Sequence, residues 1–297
     1  MIYAVSHSTT YRYADEVTLS SHRLRLSPRE TPRQSVLRFR LEITPQTHDL
    51  IAERDSFGNA AHLLEVREPH RSLTIEACSE VSVNPVDNAF GFTPWEQAVA
   101  AVQAPRSLAA LEAAGFAWPS PFTGADDAME DYARESFTPG RPLVEAAREL
   151  TSRIFHDFAY DPSSTHAATL ATESFAGRHG VCQDFAHVFL ACCRALTIPA
   201  RYVSGYLLTH PPVGQEKLIG ADASHAWASV WCPVAGWVDF DPTNDLIPSL
   251  EHITCAWGRD YGDVSPVAGV VLGGGGHLIS VSVDVSPTER AMAPFTG

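Results

Sequence analysis

Gly180-Val181-Cys182-Gln183-Asp184-Phe185-Ala186-His187-Val188-Phe189-Leu190-Ala191-Cys192-Cys193-Arg194-Ala195-Leu196 is the stretch on which the fold turns. Phe185, Val188, Phe189, Cys192, Cys193 and Leu196 recur at three- and four-residue steps, which predicts a helix over 182–196 with one apolar face. Ile198-Pro199 ends it, because the residue before a proline is pushed out of helical geometry. Three strand-like runs follow, over 200–208, 226–232 and 237–240. Upstream, Leu143, Ala146, Ala147, Leu150 and Ile154 predict a second helix beginning at Pro142. Helices followed by strand-like runs make 141–265 a segment of its own and give the fold class as α+β.

The chain on either side has a different pattern. Residues 1–84 alternate in strand fashion, as in Val36-Leu37-Arg38-Phe39-Arg40-Leu41-Glu42-Ile43 and in the run from Leu73 to Val83. Asp55-Ser56-Phe57-Gly58-Asn59 reads as a turn between two such runs, and Asn84-Pro85 closes a sandwich-like β domain. Residues 85–140 form a connector rich in Pro, Ala and Gly. It holds a helix start at Thr93-Pro94-Trp95-Glu96, with Thr93 as N-cap, and a short helix over 126–136. Residues 266–297 end in an alternating strand, Ile279-Ser280-Val281-Ser282-Val283-Asp284-Val285, that is expected to return to the N-terminal sheet. Gly273-Gly274-Gly275-Gly276 precedes this strand and lacks the Lys and helix start of a phosphate loop, so it reads as a turn.

Composition narrows the function classes. With 45% hydrophobic and 19% charged residues, the 297-residue chain is globular, and no apolar run is long enough for a membrane helix. The start has neither a basic n-region nor a long apolar run, so the expectation is a soluble cytoplasmic protein. The net charge of −14 is uneven: residues 1–40 carry seven arginines against Asp15, Glu16 and Glu30, a balance of +4, which leaves −18 for the rest. An acidic body repels phosphate backbones, so no nucleic-acid partner is expected, and these arginines read as a solvated sheet face. The six cysteines contain no CxxC pair and are expected as free thiols.

One of those thiols is placed for chemistry. Cys182 opens the apolar helix, where unpaired N–H groups and the helix dipole favour an ionised sulfur and where its own N–H can face a developing oxyanion. Gly180 is expected to leave the approach to the sulfur open. Cys192 and Cys193 lie on the apolar stripe and read as small core hydrophobes. His225, in Ala223-Ser224-His225-Ala226-Trp227, starts a strand, and Asp241 ends the next one because Pro242 cannot continue it. If paired residue numbers in these two strands sum to 468, His225 lies diagonal to Asp241 on one face; an odd sum puts them on opposite faces. Asp239 shares that parity and is the second choice. Cys182 as nucleophile, His225 as base and Asp241 as orienting acid form a coherent set, whereas each residue alone reads more simply as structural.

Other residues near these positions carry weaker readings. Substrate contacts are assigned to Tyr160, Gln183, Ser224 and Trp227, with core packing as the other reading of Tyr160. His187 is about 140° round the helix from Cys182 at the usual 100° per residue and is not expected to be the base. His179 with Cys182 has no second ligand pair at zinc spacing, so no metal and no organic cofactor are expected. Residues 209–222 form the longest loop beside the site and are a candidate lid.

The quoted stretch over 180–187, together with 196–206, Ser224-His225-Ala226-Trp227 and Gly236-Trp237-Val238-Asp239-Phe240-Asp241-Pro242-Thr243-Asn244, resembles the transglutaminase-like superfamily within the papain-like thiol fold. His7-Ser8-Thr9-Thr10-Tyr11-Arg12-Tyr13, Leu24-Arg25-Leu26-Ser27-Pro28-Arg29 and Asp55 to Asn59 resemble the bacterial transglutaminase-like N-terminal β domain. His252-Ile253 and Gly258-Arg259-Asp260-Tyr261 are similar to a segment of the same bacterial branch. The resemblance implies a thiol enzyme acting on peptide or isopeptide amide bonds through an acyl-thioester, with the nucleophile at Cys182, the base at His225 and the acid at Asp241. Hydrolysis is the favoured outcome; acyl transfer to an amine and a non-catalytic peptide-binding module are the alternatives. The implied partner is a peptide or protein substrate, with a further protein partner possible on the N-terminal β domain. No carboxylate cluster with calcium-loop spacing occurs, so a calcium switch is not expected.

Overall fold

A computed structural model describes residues 1–46, 48–86, 90–210 and 223–288. The first part is built on one long strand, β1 (Ile2–Leu24), followed by β2 (Gln34–Thr44), β3 (Asp49–Arg54), β4 (Ala60–Val66) and β5 (His70–Val83). β1 is long enough to serve four partners. Its first half lies between β5 and the C-terminal strand; its second half lies between β4 and the strand before that one. The register shifts between Arg12 and Val17, where the sheet changes partners. The strand order is β2-β5-β1-β4-β3. Alternation along the strands buries Tyr13, Val17, Leu24, Leu64, Leu73 and Ile75 in one cluster.

The arginines of this region are not all on a solvated face. Arg25 is 8% exposed and its Nε donates to Asp55 Oδ2 at 2.9 Å. Arg29 donates to Asn59 Oδ1 at 2.6 Å and to the Phe57 carbonyl at 3.0 Å. The expectation of solvated charge fails here because the Asp55–Asn59 turn folds back to supply the acceptors.

The helical part contains α1 (Trp95–Gln103), α2 (Leu108–Ala114), α3 (Asp127–Ser136) and α4 (Leu143–Asp157), then β6 (Ala159–Tyr160), α5 (Ala171–Gly177), β7 (His179–Gly180) and α6 (Cys182–Ala195). Asp126 caps α3 by accepting from the Met129 N–H. Helix α1 starts one residue later than Thr93 would set it: Pro94 occupies the N-cap, and the Trp95 N–H donates to the Arg141 carbonyl. Helices α2 and α5 are seven-residue segments, too short to develop a period in the sequence.

Eleven of the fourteen residues of α6 are buried, so the helix is covered all round and not on a single face. It packs on a four-stranded antiparallel sheet of order β10-β9-β8-β11, formed by β8 (Ala200–Leu207), β9 (Ala223–Cys232), β10 (Gly236–Phe240) and β11 (His252–Gly258). Ala226, Ala228, Val230, Val238 and Phe240 face the helix, and α3, α4 and α5 cover its other sides. The far end of α6 is tied down by Arg194, which donates to the Phe116, Ala200 and Arg259 carbonyls and to the Ser120 and Thr123 hydroxyls.

After α7 (Tyr261–Val264), β12 (Val267–Gly273) and β13 (His277–Thr288) carry the chain back along β1, joined by a turn containing the four glycines. Tyr3, Val5, Val81, Val83, Val283 and Val285 then pack on Tyr206, Leu208, Ile253 and Cys255 of the second part. One face of the N-terminal sheet is thus occupied by the chain's own core. No helix among the described residues is long and apolar enough to cross a membrane.

Candidate active site

The start of α6 is fixed by a two-residue parallel pair, in which Tyr160 lies beside Gly180. Val181 is the extended N-cap residue, and no side chain caps the N–H groups of the first turn. Asp184 reaches back instead: its Oδ2 accepts from the Val181 N–H at 2.8 Å and from the Thr165 hydroxyl at 2.7 Å. Burial pushes the Asp184 carboxyl up, against the pull of those two hydrogen bonds. A Cβ on Gly180 would lie 2.6 Å from Asp184 Cβ and 2.7 Å from Oδ2. The glycine therefore makes room for this carboxylate, a role beyond the open approach to the sulfur expected of it. Cys182, half-buried, is the first helical residue.

His225 and Asp241 meet through strand register. Trp237 pairs with Trp231 and Asp239 with Ser229, so paired numbers sum to 468, the even parity that puts His225 diagonal to Asp241. His225 Nε2 lies 2.7 Å from Asp241 Oδ2 and donates to it, which leaves Nδ1 for the hydrogen bond with the Cys182 sulfur. Asp241 is fully buried and fully satisfied. Its Oδ2 also accepts from His252 Nε2 at 2.9 Å and Asn244 Nδ2 at 2.8 Å, and its Oδ1 accepts from the Thr243 and Asn244 N–H groups. Burial alone would raise the Asp241 carboxyl, yet the hydrogen bonds and charges of the two histidines hold it far below the usual carboxylate range. Burial alone would lower the His225 imidazole; hydrogen bonds to Asp241 and Cys182, with their charges, overcome this and push it up to about 10. The arrangement is a half-buried thiol bonded to an imidazole that a buried carboxylate, shared with His252, favours in its protonated form.

The remaining assigned residues fall in different places. Tyr160 is 57% exposed, and its phenol is pushed up by burial and then by the nearby Cys182 and Asp184 charges. It borders the sulfur at the surface and does not belong to the core. Gln183 is half-buried and donates through Nε2 to the Ala167 carbonyl at 3.0 Å, pinning the loop before α5. Ser224 is half-buried and pairs with Tyr206 of β8. Trp227 has no exposed surface and so has none to offer a substrate; it backs the two imidazoles, stacked on His225 and edge-on to His252. Asp239 sits 4.0 Å from Arg33 Nη2, away from the relay. His187 is buried, accepts the Tyr261 N–H at Nε2 (3.1 Å), and is pushed down to about 3 by burial and the Arg194 charge. Of the candidate lid over 209–222, residues 211–222 lie outside the described residues.

Two roles escaped sequence reasoning, that of His252, quoted above only as part of a resemblance, and that of Gly205. His252 starts β11, eleven residues after Asp241, and its contact with Oδ2 depends on β11 lying beside β8. The available signal was a histidine opening the apolar run Ile253 to Trp257. Gly205 pairs with His225, and a Cβ there would lie 2.0 Å from the Ile253 carbonyl oxygen and 2.7 Å from the Trp227 ring. That glycine lets β11 and Trp227 close behind the imidazoles. The Gly258-Arg259-Asp260-Tyr261 segment also gains a physical account: the Arg259 carbonyl and the Tyr261 N–H bind Arg194 and His187 of α6.

His225, Asp241 and His252 are the one group among the described residues whose ligand-type atoms cluster tightly enough to suggest a metal. Both Nε2 atoms already donate to the same carboxylate oxygen, so the trio is accounted for as a hydrogen-bonded relay.

A family model described as the bacterial transglutaminase-like N-terminal region matches residues 3–82, and one described as the transglutaminase-like superfamily matches residues 130–242. An uncharacterized protein of Mycobacterium tuberculosis strain H37Rv is 43% identical over 297 residues, covering 97% of this chain and 93% of its own length. A protein-glutamine gamma-glutamyltransferase of Pseudomonas aeruginosa is 34% identical over 125 residues, which is 41% of this chain and 18% of that protein. Among solved structures, a candidate cysteine protease from Cytophaga hutchinsonii superimposes with a TM-score of 0.76 at 21% identity, covering 100% of this chain and 94% of that chain. That last likeness is one of fold.

Proposed function

The chain belongs to the transglutaminase-like superfamily, and from that premise we propose that it is a thiol enzyme that opens amide bonds of peptides or proteins through an acyl-thioester on Cys182. The observation that carries this reading is the bridge made by His225, bonded through Nε2 to Asp241 at 2.7 Å and also to the Cys182 sulfur.

The steps follow from those contacts. The sulfur, with its proton on His225, attacks the amide carbon, and the new oxyanion faces the Cys182 N–H at the uncapped helix start. Collapse breaks the C–N bond, and the leaving nitrogen takes the proton from His225 Nδ1. A nucleophile then attacks the thioester, gives its proton to Nδ1 and releases the sulfur. Asp241 keeps the ring oriented and stabilises the imidazolium throughout.

Water is the preferred second nucleophile. Cys182 is only half-buried and its neighbour Tyr160 is 57% exposed, which supports a cleft open to solvent. Transfer to an amine is the second reading, favoured by the name of the Pseudomonas aeruginosa relative over the 125 matched residues. Incubating the chain with denatured cell protein and biotinylated pentylamine separates the two. New amino termini or glutamine-to-glutamate conversion without biotin supports hydrolysis, whereas biotin incorporation supports transfer. Products identical with Cys182→Ala would remove the enzymatic reading and leave a peptide-binding module.

A further inference from the structure

The sheet face that looks away from α6 carries a second feature, apart from the thiol. Arg201 of β8, Ser229 of β9 and Asp239 of β10 share one rung, and Trp257 of β11 pairs with Val203 on the next. A cavity of about 960 Å³ opens over this face, closed on the other side by Arg29, Arg33 and Phe57 of the N-terminal part. Neither Cys182 nor His225 lines it, and the Arg201 rung lies four residues along β9 from His225, about 13 Å at the usual strand rise.

Arg201 is 8% exposed, and its guanidinium stacks 3.7 Å from the Trp257 ring centroid and 4.2 Å from that of Trp237. Arg29 stacks on Trp257 as well, at 3.4 Å, and since one face of an indole cannot seat both guanidinium groups at those distances, the two sandwich it. The stacking holds the cation in place but uses none of its donors. Arg201 Nε is buried without a partner; the Asp239 charge on the same rung acts on the guanidinium, but no carboxylate lies within ion-pair distance of it among the described residues. Arg194, the other buried arginine of this part, has every side-chain nitrogen bonded to a carbonyl or hydroxyl. A structural arginine in this fold is thus satisfied by the protein, and Arg201 is not. Such a group is costly to bury unless something in the cavity accepts from it.

We propose that this cavity binds a monoanionic carboxylate with an apolar or aromatic body, its two oxygens paired with the Arg201 fork. A carboxylate matches one guanidinium bidentately. The rim also holds Asp239 and Glu112, which admit a single negative charge beside Arg29, Arg33 and Arg201 but oppose a dianionic phosphate. Phe57, Phe116 and the two tryptophans line the space next to the fork and suit an aromatic body. The carboxylate can be that of a free acid or of a peptide C-terminus. The site is independent of the proposed thiol chemistry and stands whether or not that reading holds.

Trp237 and Trp257 supply the signal for the test. Tryptophan emission and the unfolding temperature of the full chain are followed with 3-phenylpropionate, N-acetylphenylalanine and Ala-Ala-Phe, each beside its carboxamide, and with inorganic phosphate. The acids should shift both readouts saturably, with the carboxamides about tenfold weaker or more, as expected for loss of a charge-assisted pair. Preference for the free acids or for the tripeptide identifies the source. Arg201→Gln should weaken the acids about tenfold; because Arg201 is buried, Arg33→Gln at the half-exposed rim provides a second variant, with about threefold weakening expected. Equal binding of acids and carboxamides, no response to any of the three acids, tighter binding of phosphate, or an unchanged affinity in a folded Arg201→Gln chain would each overturn the proposal.

Discussion

Replacing Asp241 by Asn tests the electrostatics on which the thiol chemistry depends. Asp241 receives five hydrogen bonds, three of them on Oδ2, from His225, His252 and Asn244. An amide at this position has a single acceptor oxygen, so either the two main-chain donors or the two imidazoles lose their partner, and the negative charge is gone. The imidazole of His225 sits at about 10 against an ordinary 6.5, a gap worth on the order of 5 kcal/mol in favour of the imidazolium. Burial opposes that gap, so without the carboxylate the midpoint should fall by about two pH units or more, with the Cys182 contribution remaining. Ring nitrogen NMR of the histidines, assigned with a His225→Gln chain, reads this directly. In the parent, His225 should stay protonated through neutral pH and titrate near 10; in Asp241→Asn at least half of it should be neutral at pH 8. Stability follows with a definite sign. A folded-state value above the unfolded one stabilises fully below 6.5 and is lost as pH rises through about 10, so the unfolding temperature should fall over that window in the parent and much less in the variant. A parent His225 that titrates near 6.5, or a variant whose midpoint does not move, would refute the reasoning.

Brief exposure to iodoacetamide near neutral pH, followed by peptide mass analysis, should label Cys182 well ahead of Cys192, Cys193 and Cys255, which are buried and whose thiols burial pushes up, to about 12 for Cys192 and Cys255. Equal labelling of all four in the folded chain would contradict the placement of the thiol. His252→Ala removes one of the three donors to Asp241 Oδ2 and should cost about 2 kcal/mol in urea unfolding. It should leave the His225 midpoint at or above that of the parent, because Asp241 Oδ2 then serves one imidazole fewer; a midpoint that falls as far as in Asp241→Asn would contradict this. Gly180→Ala forces a Cβ to within 2.6 Å of Asp184 and should destabilise by about 1–3 kcal/mol, visible as a lower unfolding midpoint. Arg25→Ala leaves the Asp55 carboxylate without its buried partner and should cost about 3–5 kcal/mol by the same measurement.

Local periodicity carried much of the fold and named the residues of the central contact of the candidate site. Residues three and four apart mark a helix and residues two apart share a sheet face, so the span of α6 and the strands β8, β9 and β10 could be read from neighbours in the chain, and the joining of His225 to Asp241 came down to one condition, the parity, which the register of β9 on β10 then met. Only the tertiary structure brought His252 onto Asp241, made Gly205 a point of close approach, gave β1 four partners, and moved Tyr160 to the surface and Trp227 out of reach of any substrate. The same holds for Arg201, whose unsatisfied guanidinium is defined by Trp237 and Trp257 closing over it. The reason lies in what sets each feature. A period belongs to one stretch of backbone, whereas burial and hydrogen-bond satisfaction belong to whichever distant segments packing brings together, and a residue's type does not say what will arrive beside it.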